Sequence, residues 1–251
     1  MRVVLEDVKV QGRRGPLLDI DHFSVDTGEC VLMAGEPGQG NTAMALVATG
    51  RLTPSGGNAS LVRDDGTTTH DKAELRQLTA VVDLPAVSEP DDAVPVGTVV
   101  AEGLALARRG SMPGEPTKWL RTHDWEQLRS VRMDAIPGAV RTALLSALVA
   151  ERADVRFLVL SLPDRHGGEP VDWWEIAQSY ASVGYGVLVQ CGRSSARDLG
   201  ANLPAARGDS ARQVTPVEAV RTRPQPVDPE RSPSDEAVDS AWLFGEREKD
   251  R

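Results

Sequence analysis

The chain has 251 residues, of which 40% are hydrophobic and 26% charged, and its formal net charge is −9. This length predicts one domain with an appendage, and the acidic balance argues against nucleic acid or an anionic membrane as a partner held mainly by charge. No apolar run approaches the roughly 20 residues that span a bilayer, and the N-terminus carries acidic residues where a signal peptide would be apolar. We therefore expect a cytoplasmic protein that does not insert into a membrane.

The first part of the chain predicts strands followed by a glycine-rich turn and a helix. Residues 3–10 and 18–25 have β-branched and alternating apolar positions, and a third apolar run, CVLMAG, follows the turn TGE. Residues 41–52 have helical apolar spacing that TPSGG ends, and the next segment predicts a small hairpin around Asp65 and Gly66.

The middle of the chain alternates helices and strands. A short helix over 71–78 has Asp71 as its N-cap, and the strand AVVDLPAV ends at Pro85. An amphipathic helix begins at Pro95, and the polar segment that follows predicts the rest of a small helical insert, about residues 95–138. A helix over 139–153, the apolar run VRFLVLSLP, a helix over 169–183 and the strand GYGVLVQC complete the pattern. This alternation predicts an α/β fold with a mostly parallel sheet.

Residues 205–251 differ in composition from the rest. They are rich in Pro, Arg, Asp, Glu and Ser, and their few apolar residues show no period, which predicts a flexible tail after a domain of residues 1–204. The exception is SAWLFG, with Trp242, Leu243 and Phe244. This segment either packs back on the domain or docks a partner.

Several other residues carry expectations. Trp173 and Trp174 are adjacent on a predicted helix, so either one of them is exposed or both lie at an edge that a loop covers. Cys30 and Cys191 lie in strand-like segments and are expected to be buried free thiols. No histidine pair has metal-ligand spacing, so we expect no histidine metal site and predict surface positions for His22, His70, His123 and His166.

The stretch MAGEPGQGNT, from Met33 to Thr42, carries the main functional motif. It matches the phosphate-binding loop of glycine, four residues, glycine, lysine and Ser/Thr, except that asparagine replaces lysine. Glycines let backbone N–H groups surround a phosphate, and the following helix adds its dipole. The alternative is a strand-to-helix turn that needs glycine only for its geometry. The predicted nucleotide-site residues are Gly35, Glu36, Pro37, Gly38, Gln39, Gly40, Asn41 and Thr42, with the Thr42 hydroxyl as the Mg²⁺ ligand.

The surroundings of the loop resemble the nucleotide-binding subunit of ABC transporters, from about residue 3 to residue 192. The segments that carry the resemblance, in order, are LEDVKVQGRRGPLLDIDHFSVDTGECVLMAGEPGQGNT, GRLTPSGGNASLVRDDG, ALLSALVAERADVRFLVLSLPDRHGG and GVLVQCGRS. The resemblance implies an ABC-type ATPase domain of the P-loop NTPase class, with antiparallel N-terminal strands and a helical insert. It also implies ATP with Mg²⁺, a head-to-tail dimer, and attachment to the inner face of the membrane through a membrane subunit.

Departures from the family pattern fall on the chemical positions. The loop lysine is Asn41, and the carboxylates that hold Mg²⁺ and polarise water in the family align with Ser161 and Leu162. The switch histidine aligns with Gly192, and only Gly138 remains of the signature glycines. The adenine-stacking aromatic aligns with Gln11, the D-loop aspartate aligns with Gly168, and Pro85 or a neighbour stands where the family has a glutamine.

These departures predict weak ATP binding and lost hydrolysis. The first hypothesis is a degenerate ABC-type subunit that acts as a regulatory or structural partner. The second is a non-catalytic interaction protein that reuses the fold and docks partners through its tail or its tryptophan-bearing insert. The third is a working ATPase in which an arginine replaces the lysine and Asp164 or Glu169 replaces the lost carboxylates.

Overall fold

The computed structural model describes residues 1–13, 15–110, 112, 114–205 and 215–225. The strands are β1 (Arg2–Gln11), β2 (Pro16–Asp26), β3 (Cys30–Ala34), β4 (Gly56–Val62), β5 (Thr68–Thr69), β6 (Thr79–Val82), β7 (Phe157–Ser161), β8 (Gly186–Cys191) and β9 (Val217–Thr222). The helices are α1 (Asn41–Ala48), α2 (Lys72–Leu78), α3 (Val96–Leu106), α4 (Glu115–Thr122), α5 (Gly138–Ala150), α6 (Pro170–Ser182) and α7 (Arg193–Asp198).

Two sheets form the framework. The N-terminal sheet is antiparallel and has the order β2-β1-β4-β5, with β4 and β5 forming the predicted hairpin. The main sheet has the order β6-β7-β8-β3-β9, and its first four strands are parallel. The predicted mostly parallel α/β fold with antiparallel N-terminal strands is therefore confirmed.

The main sheet is buried on both faces, which explains the unbroken apolar runs of its strands. In β3, Cys30 and Leu32 face the larger core, which the sheet shares with α3, α5 and α6. Val31 and Met33 alternate with them and face a second core against α1 and the N-terminal sheet. The carboxyl ends of β3, β7 and β8 thereby meet at one edge, next to the glycine loop.

The helical insert forms as predicted. Between α3 and α5 the chain makes α4 and two short 3₁₀ turns, Glu126–Leu128 and Met133–Ala135. Trp119 and Trp125 are buried, with ring centroids 5.9 Å apart, and the Trp119 indole N–H donates to the Glu151 carboxylate at 2.7 Å. These tryptophans belong to the core, and docking of a partner by the rest of the insert stays a prediction.

The two adjacent tryptophans of α6 are both buried, Trp173 at 1% exposure and Trp174 at 8%. The expectation that one of them is exposed is therefore wrong. The physical reason is that α6 packs against β3, β8, α5 and α7, so neighbours cover more than one of its faces.

Strand β9 corrects the prediction of a tail that begins at residue 205. It pairs antiparallel with β3, and Arg221 and Arg223 form ion pairs with Glu29, which is 2% exposed. Val217 and Ala219 alternate with polar residues, which is a strand signal that the charged surroundings obscured. Residues 206–214 and 226–251, including the SAWLFG segment, lie outside the described residues.

Two smaller predictions also have outcomes. Cys30 and Cys191 are buried free thiols, as expected, and burial raises the pKa of both. In the described part of the chain, no helix is long and apolar enough to cross a bilayer.

Candidate functional site

The glycine loop connects the end of β3 to the start of α1. Gly38 and Gly40 have left-handed φ angles of 86° and 88°, which favour glycine. A Cβ at Gly40 would also collide with the carbonyl oxygen of Leu17 in β2, so this glycine serves packing as well as loop geometry. The geometric reading of the motif therefore accounts for Gly40.

The loop still presents free donors. The N–H of Glu36 donates to the Gln39 side chain at 2.8 Å, and the N–H of Gln39 donates to the Glu36 carbonyl at 3.0 Å, so these two groups are engaged inside the loop. Within the described residues, the N–H groups of Gly40, Asn41 and Thr42 have no protein acceptor. They lie at the N-terminus of α1, where orphan N–H groups and the helix dipole suit an anion. The backbone fits a phosphate group.

Asn41 lies beneath the loop. It is 6% exposed, its Nδ2 donates to the Gly35 carbonyl at 3.3 Å, and its Oδ1 is buried with no partner among the described residues. A Cβ placed on Gly35 would stand 2.8 Å from that Oδ1, which shows how closely the side chain is tucked against the strand end. The position of the family's lysine is therefore filled by a short neutral side chain.

Ser161 and Gln190 lie beside Asn41 at the ends of β7 and β8. They are ladder partners, and Gln190 Nε2 donates to the Asn41 carbonyl at 2.8 Å. Ser161 is 2% and Gln190 0% exposed, and Ser161 Oγ and Gln190 Oε1 are buried without a hydrogen-bond partner among the described residues. Sequence reasoning singled out Ser161 but missed Gln190, whose polarity inside an apolar strand was the available signal.

These side chains do not fit Mg²⁺. The ion prefers carboxylates, phosphates and water as ligands, whereas Asn41, Ser161 and Gln190 offer only amide and hydroxyl oxygens. Thr42 is exposed on the first turn of α1, and its hydroxyl is a neutral ligand as well. The assignment of Mg²⁺ to Thr42 stays a prediction.

The hypothesis of a working ATPase needs Asp164 or Glu169 to replace the lost carboxylates. Asp164 is already hydrogen-bonded to the start of α7. Its Oδ2 accepts from the Gly192 N–H at 2.7 Å and from the Ser195 hydroxyl at 2.8 Å, so it caps the start of α7. Glu169 is exposed at the N-cap of α6 and makes no side-chain cap bond. Neither carboxylate replaces those lost at 161 and 162.

Replacing Asp164 by alanine is expected to lower the free energy of unfolding by about 1–2 kcal/mol, because the start of α7 loses its cap. Nucleotide affinity should stay unchanged. Urea unfolding and a nucleotide titration measure the two effects, and Glu169→Ala is the matched control with little expected effect on either. A tenfold loss of nucleotide affinity in Asp164→Ala alone would place this carboxylate in the site.

The remaining positions from the family comparison are structural or exposed. Gln11 is exposed in β1, Gly168 has a φ of 89°, and Gly192 is the N-cap of α7. At Gly138, the first residue of α5, a Cβ would stand 2.5 Å from the Gly167 carbonyl oxygen and 2.8 Å from that of His166. The glycine left from the signature is therefore required by packing within this chain.

Gly138→Ala is expected to destabilise the protein by about 1–3 kcal/mol, since α5 and the 3₁₀ turn Pro163–His166 must move apart. Thermal unfolding would measure the loss. Gly110→Ala is the control, because its Cβ would meet only the Glu115 side chain at 3.5 Å. Equal melting temperatures for the two variants would contradict the close approach at Gly138.

A buried charged cluster beside the site was missed by the sequence analysis. Asp83, just after β6 and 6% exposed, pairs with Arg141 of α5 through two hydrogen bonds of 2.9 and 3.1 Å. Arg165 Nη2 and His166 Nε2 lie 3.0 and 2.9 Å from the Asp83 oxygens, so His166 is not the free surface residue that was predicted. A lone arginine inside the apolar helix pattern GAVRTALLSALVA was the available signal.

The cluster fixes three segments relative to one another and does not suit a cation. Asp83, Glu89 and His166 offer ligand atoms within 4.8 Å of one another, but Arg141 and Arg165 already occupy the Asp83 oxygens and would repel a metal ion. Burial raises the pKa of the Asp83 carboxyl, but hydrogen bonds from His166 and Arg141 and the nearby arginine charges outweigh it and lower that pKa to about 2.

This lowered pKa predicts an acid-sensitive contribution. Because the folded pKa is below the ordinary value of about 3.9, Asp83 stabilises the protein above about pH 4, and the contribution of about 2 kcal/mol is lost as pH falls toward 2. The stability gap between wild type and Asp83→Asn should therefore narrow between pH 5 and pH 2.5 in urea unfolding. The exposed Asp198→Asn serves as control. A gap that does not change with pH would contradict the assignment.

Comparisons with known proteins come from solved structures. No family model matches the chain, and no curated protein sequence does. The chain is similar to a nucleotide-free ATP-binding cassette from an ABC transporter, with TM-score 0.58, 16% identity and coverage of 77% of this chain and 82% of the other. A dimeric bacterial ABC transporter cassette gives TM-score 0.59 and 17% identity over 78% and 90% of the two chains.

A third similar structure is cbiO1 from Clostridium perfringens, described as part of the ABC transporter complex cbiONQ. Its TM-score is 0.54 and its identity 19%, over 76% of this chain and 78% of the other. At these identities the likeness establishes the fold.

Proposed function

We propose that this chain, which has the fold of the ATP-binding cassettes of ABC transporters, binds ATP weakly through its loop backbone, does not hydrolyse it, and acts as a regulatory or structural partner. The observation that carries the proposal is that Asn41 and Ser161, buried and uncharged, stand where the family has its lysine and its metal-binding aspartate. The proposed neighbour is either a dimer partner of the same fold or a transporter membrane subunit. A membrane subunit would hold the chain at the inner face of the membrane.

The two replacements are electrostatically consistent with each other. A buried lysine without its aspartate, or the reverse, would leave an unpaired charge, and such charges are costly. Asn41 and Ser161 together remove one positive and one negative charge, so the interior stays neutral. This supports a stable fold whose site has lost both charged groups at once.

Magnitudes support weak binding without turnover. One cation about 4 Å from a phosphate charge is worth roughly 4 kcal/mol at an effective dielectric of 20, which corresponds to about 10³ in affinity. Loss of a general base costs on the order of 10² to 10⁴ in rate. Backbone N–H groups of the loop are left to hold the phosphates.

A titration with a fluorescent ATP analogue, with and without Mg²⁺, tests the proposal together with a phosphate-release assay. We expect saturation only near millimolar nucleotide, no effect of Mg²⁺, and no release above background. Release at the pace of a working transporter would refute the loss of hydrolysis.

Absence of saturation would instead favour the alternative, a non-catalytic interaction protein that docks partners. The observation that favours this alternative is a groove at a distance from the glycine loop. The arginines of this groove have no carboxylate partner among the described residues. Isolation of complexes formed by the full-length chain identifies the partner under either function.

A further inference from the structure

The groove lies where α2, β6, α3 and α5 meet, and we call it the side groove. It encloses about 1180 Å³, and apolar side chains such as Val81, Val99 and Leu148 line it. Two further lining residues, Val87 and Leu106, are 54% and 72% exposed. This volume exceeds the range of about 300–1000 Å³ typical of small-molecule sites, and it suits a stretch of polypeptide.

One end of the side groove carries three arginines, which we call the arginine end. Arg51 bonds the Thr79 carbonyl at 3.2 Å, Arg76 the Gly50 carbonyl at 2.9 Å, and Arg152 the Gln77 carbonyl at 3.3 Å. Within the described residues, none of the three arginines lies within 4.0 Å of a carboxylate.

The arginine end has a net positive charge among the described residues. Burial, followed by the charges of Arg152 and Arg76, lowers the pKa of the Arg51 guanidinium to about 10, so it stays protonated at neutral pH. Asp154 also lines the groove and accepts from the Gln77 amide at 3.1 Å, so this end carries three arginines and one carboxylate that forms no ion pair with them. In a chain of net charge −9, the described residues thus form a concave patch with a net positive charge.

The opposite end is acidic. Arg51 contacts Thr79, the first residue of β6, whereas Glu89 and Asp91 follow the last residue of that strand and also line the groove. Glu89 is paired with Arg165 at 2.9 Å, whereas Asp91 forms no ion pair among the described residues. A peptide that fits the side groove should therefore place acidic residues at the arginine end and apolar residues on the lining.

The chain's own C-terminal region has this pattern. Residues 241–244 read AWLF, and the preceding residues 235–239 read DEAVD, with three acids and no base. Residues 246–251 read EREKDR, with three acids and three bases, so the match with the groove rests on the acids at 235–239 and the apolar residues at 241–244. These residues lie outside the described part of the chain, and the proposed function does not involve them.

The part of the chain between β9 and the proposed segment is long enough to reach the side groove. The described chain ends at residue 225, just after β9, and β9 and β6 are the two edge strands of the five-stranded sheet. Four strand spacings place these edges about 19 Å apart. The 15 residues from 226 to 240 can span up to about 50 Å, which exceeds this separation. The segment can therefore reach the groove of its own chain.

We propose that residues 235–244 bind in the side groove of the same chain, with the acids at 235–239 against the arginine end and the side chains of AWLF on the apolar lining. The C-terminal segment then closes this face to any other protein. A partner that uses the side groove must displace the segment, so the tail sets a threshold for partner binding.

The test places a spin label on Ser240→Cys in the full-length chain and measures the broadening of backbone amide signals by NMR. The label should not react with Cys30 and Cys191, because both thiols are buried. We expect broadening at Val81, Val99 and Leu106, and little at the distant β2. Broadening that is absent from the side groove, or uniform over the surface, would overturn the proposal.

Charge variants make the test specific. Arg76→Glu with Arg152→Glu should lower the ratio of bound to free segment about tenfold, and Arg197→Glu, an exposed arginine elsewhere, should leave it unchanged. Since the domain variant could fail to fold, the same loss is expected from Asp235→Lys, Glu236→Lys and Asp239→Lys in the tail. Combining both sets should restore the broadening. Unchanged broadening in the arginine variant alone, or in the tail variant alone, would overturn the proposal.

A mixed sample separates the chain's own tail from that of a second copy. Isotope-labelled chain without the spin label is mixed with spin-labelled chain at natural isotope abundance. We expect no broadening of the groove amides in this mixture. Broadening as strong as in the single-chain sample would show that the segment binds a second copy, and would overturn binding within the same chain.

Discussion

Arg141→Met is expected to lower the free energy of unfolding by about 3–5 kcal/mol, the largest loss of stability that we predict for one substitution. Arg141 is 1% exposed and holds both oxygens of Asp83, which is itself 6% exposed. Removing the guanidinium leaves a buried carboxylate with only Arg165 and His166 to compensate it. Urea unfolding at pH 7 measures the loss.

Two further variants separate the charge effect from packing. Arg121→Met removes an exposed arginine that pairs with Glu126, and should leave stability almost unchanged because surface ion pairs contribute little. Arg141→Met combined with Asp83→Asn should be more stable than Arg141→Met alone, because the unpaired charge is gone. If the double variant lost as much as the sum of the two single variants, the pair would not be coupled.

Asn41→Lys is expected to tighten ATP binding by up to about 10³, the largest functional effect that we predict. A lysine is long enough to leave the pocket beneath the loop, where Asn41 now bonds Gly35, and to place its ammonium near a bound phosphate. Turnover should stay at background, because Ser161 and Leu162 still supply no carboxylate. Titration with the fluorescent analogue and phosphate release measure the two effects.

Asn41→Gln is the matched control, since it lengthens the side chain without adding a charge. If Asn41→Gln tightened binding as much as Asn41→Lys, the gain would come from loop geometry rather than from charge. Adding Ser161→Asp to Asn41→Lys should make binding depend on Mg²⁺, because a carboxylate then stands at the metal position. Fast hydrolysis by Asn41→Lys alone would contradict the roles assigned to Ser161 and Leu162.

The framework could be predicted because its signals are local. The apolar alternation of the N-terminal strands, the apolar runs of β3, β7 and β8, and the Asp71 cap each depend on neighbours within a few residues. In the structure, the Asp71 side chain accepts from the Ala73 N–H at 2.8 Å, as the helix start required. The glycine loop was found for the same reason, since its pattern is contiguous.

What could not be predicted depends on pairs far apart in the chain. Asp83 and Arg141 are 58 residues apart, and Arg221 and Glu29 are 192 apart. The charges of Arg221 and Arg223 made the segment of β9 resemble a solvated tail in the sequence, because their partner Glu29 is far away along the chain. Likewise, the burial of Trp174 depends on which helices and strands surround α6, and no local pattern gives that information.

The place of β9 at the edge of the main sheet has a consequence for shortened versions of the protein. A fragment that ends at residue 204 would uncover the backbone N–H and C=O groups of β3, whose five residues CVLMA are wholly apolar. Bare edges of this kind recruit strands from other molecules and promote aggregation. Truncations that remove the C-terminal segment should therefore end after residue 225, so that the sheet keeps its last strand.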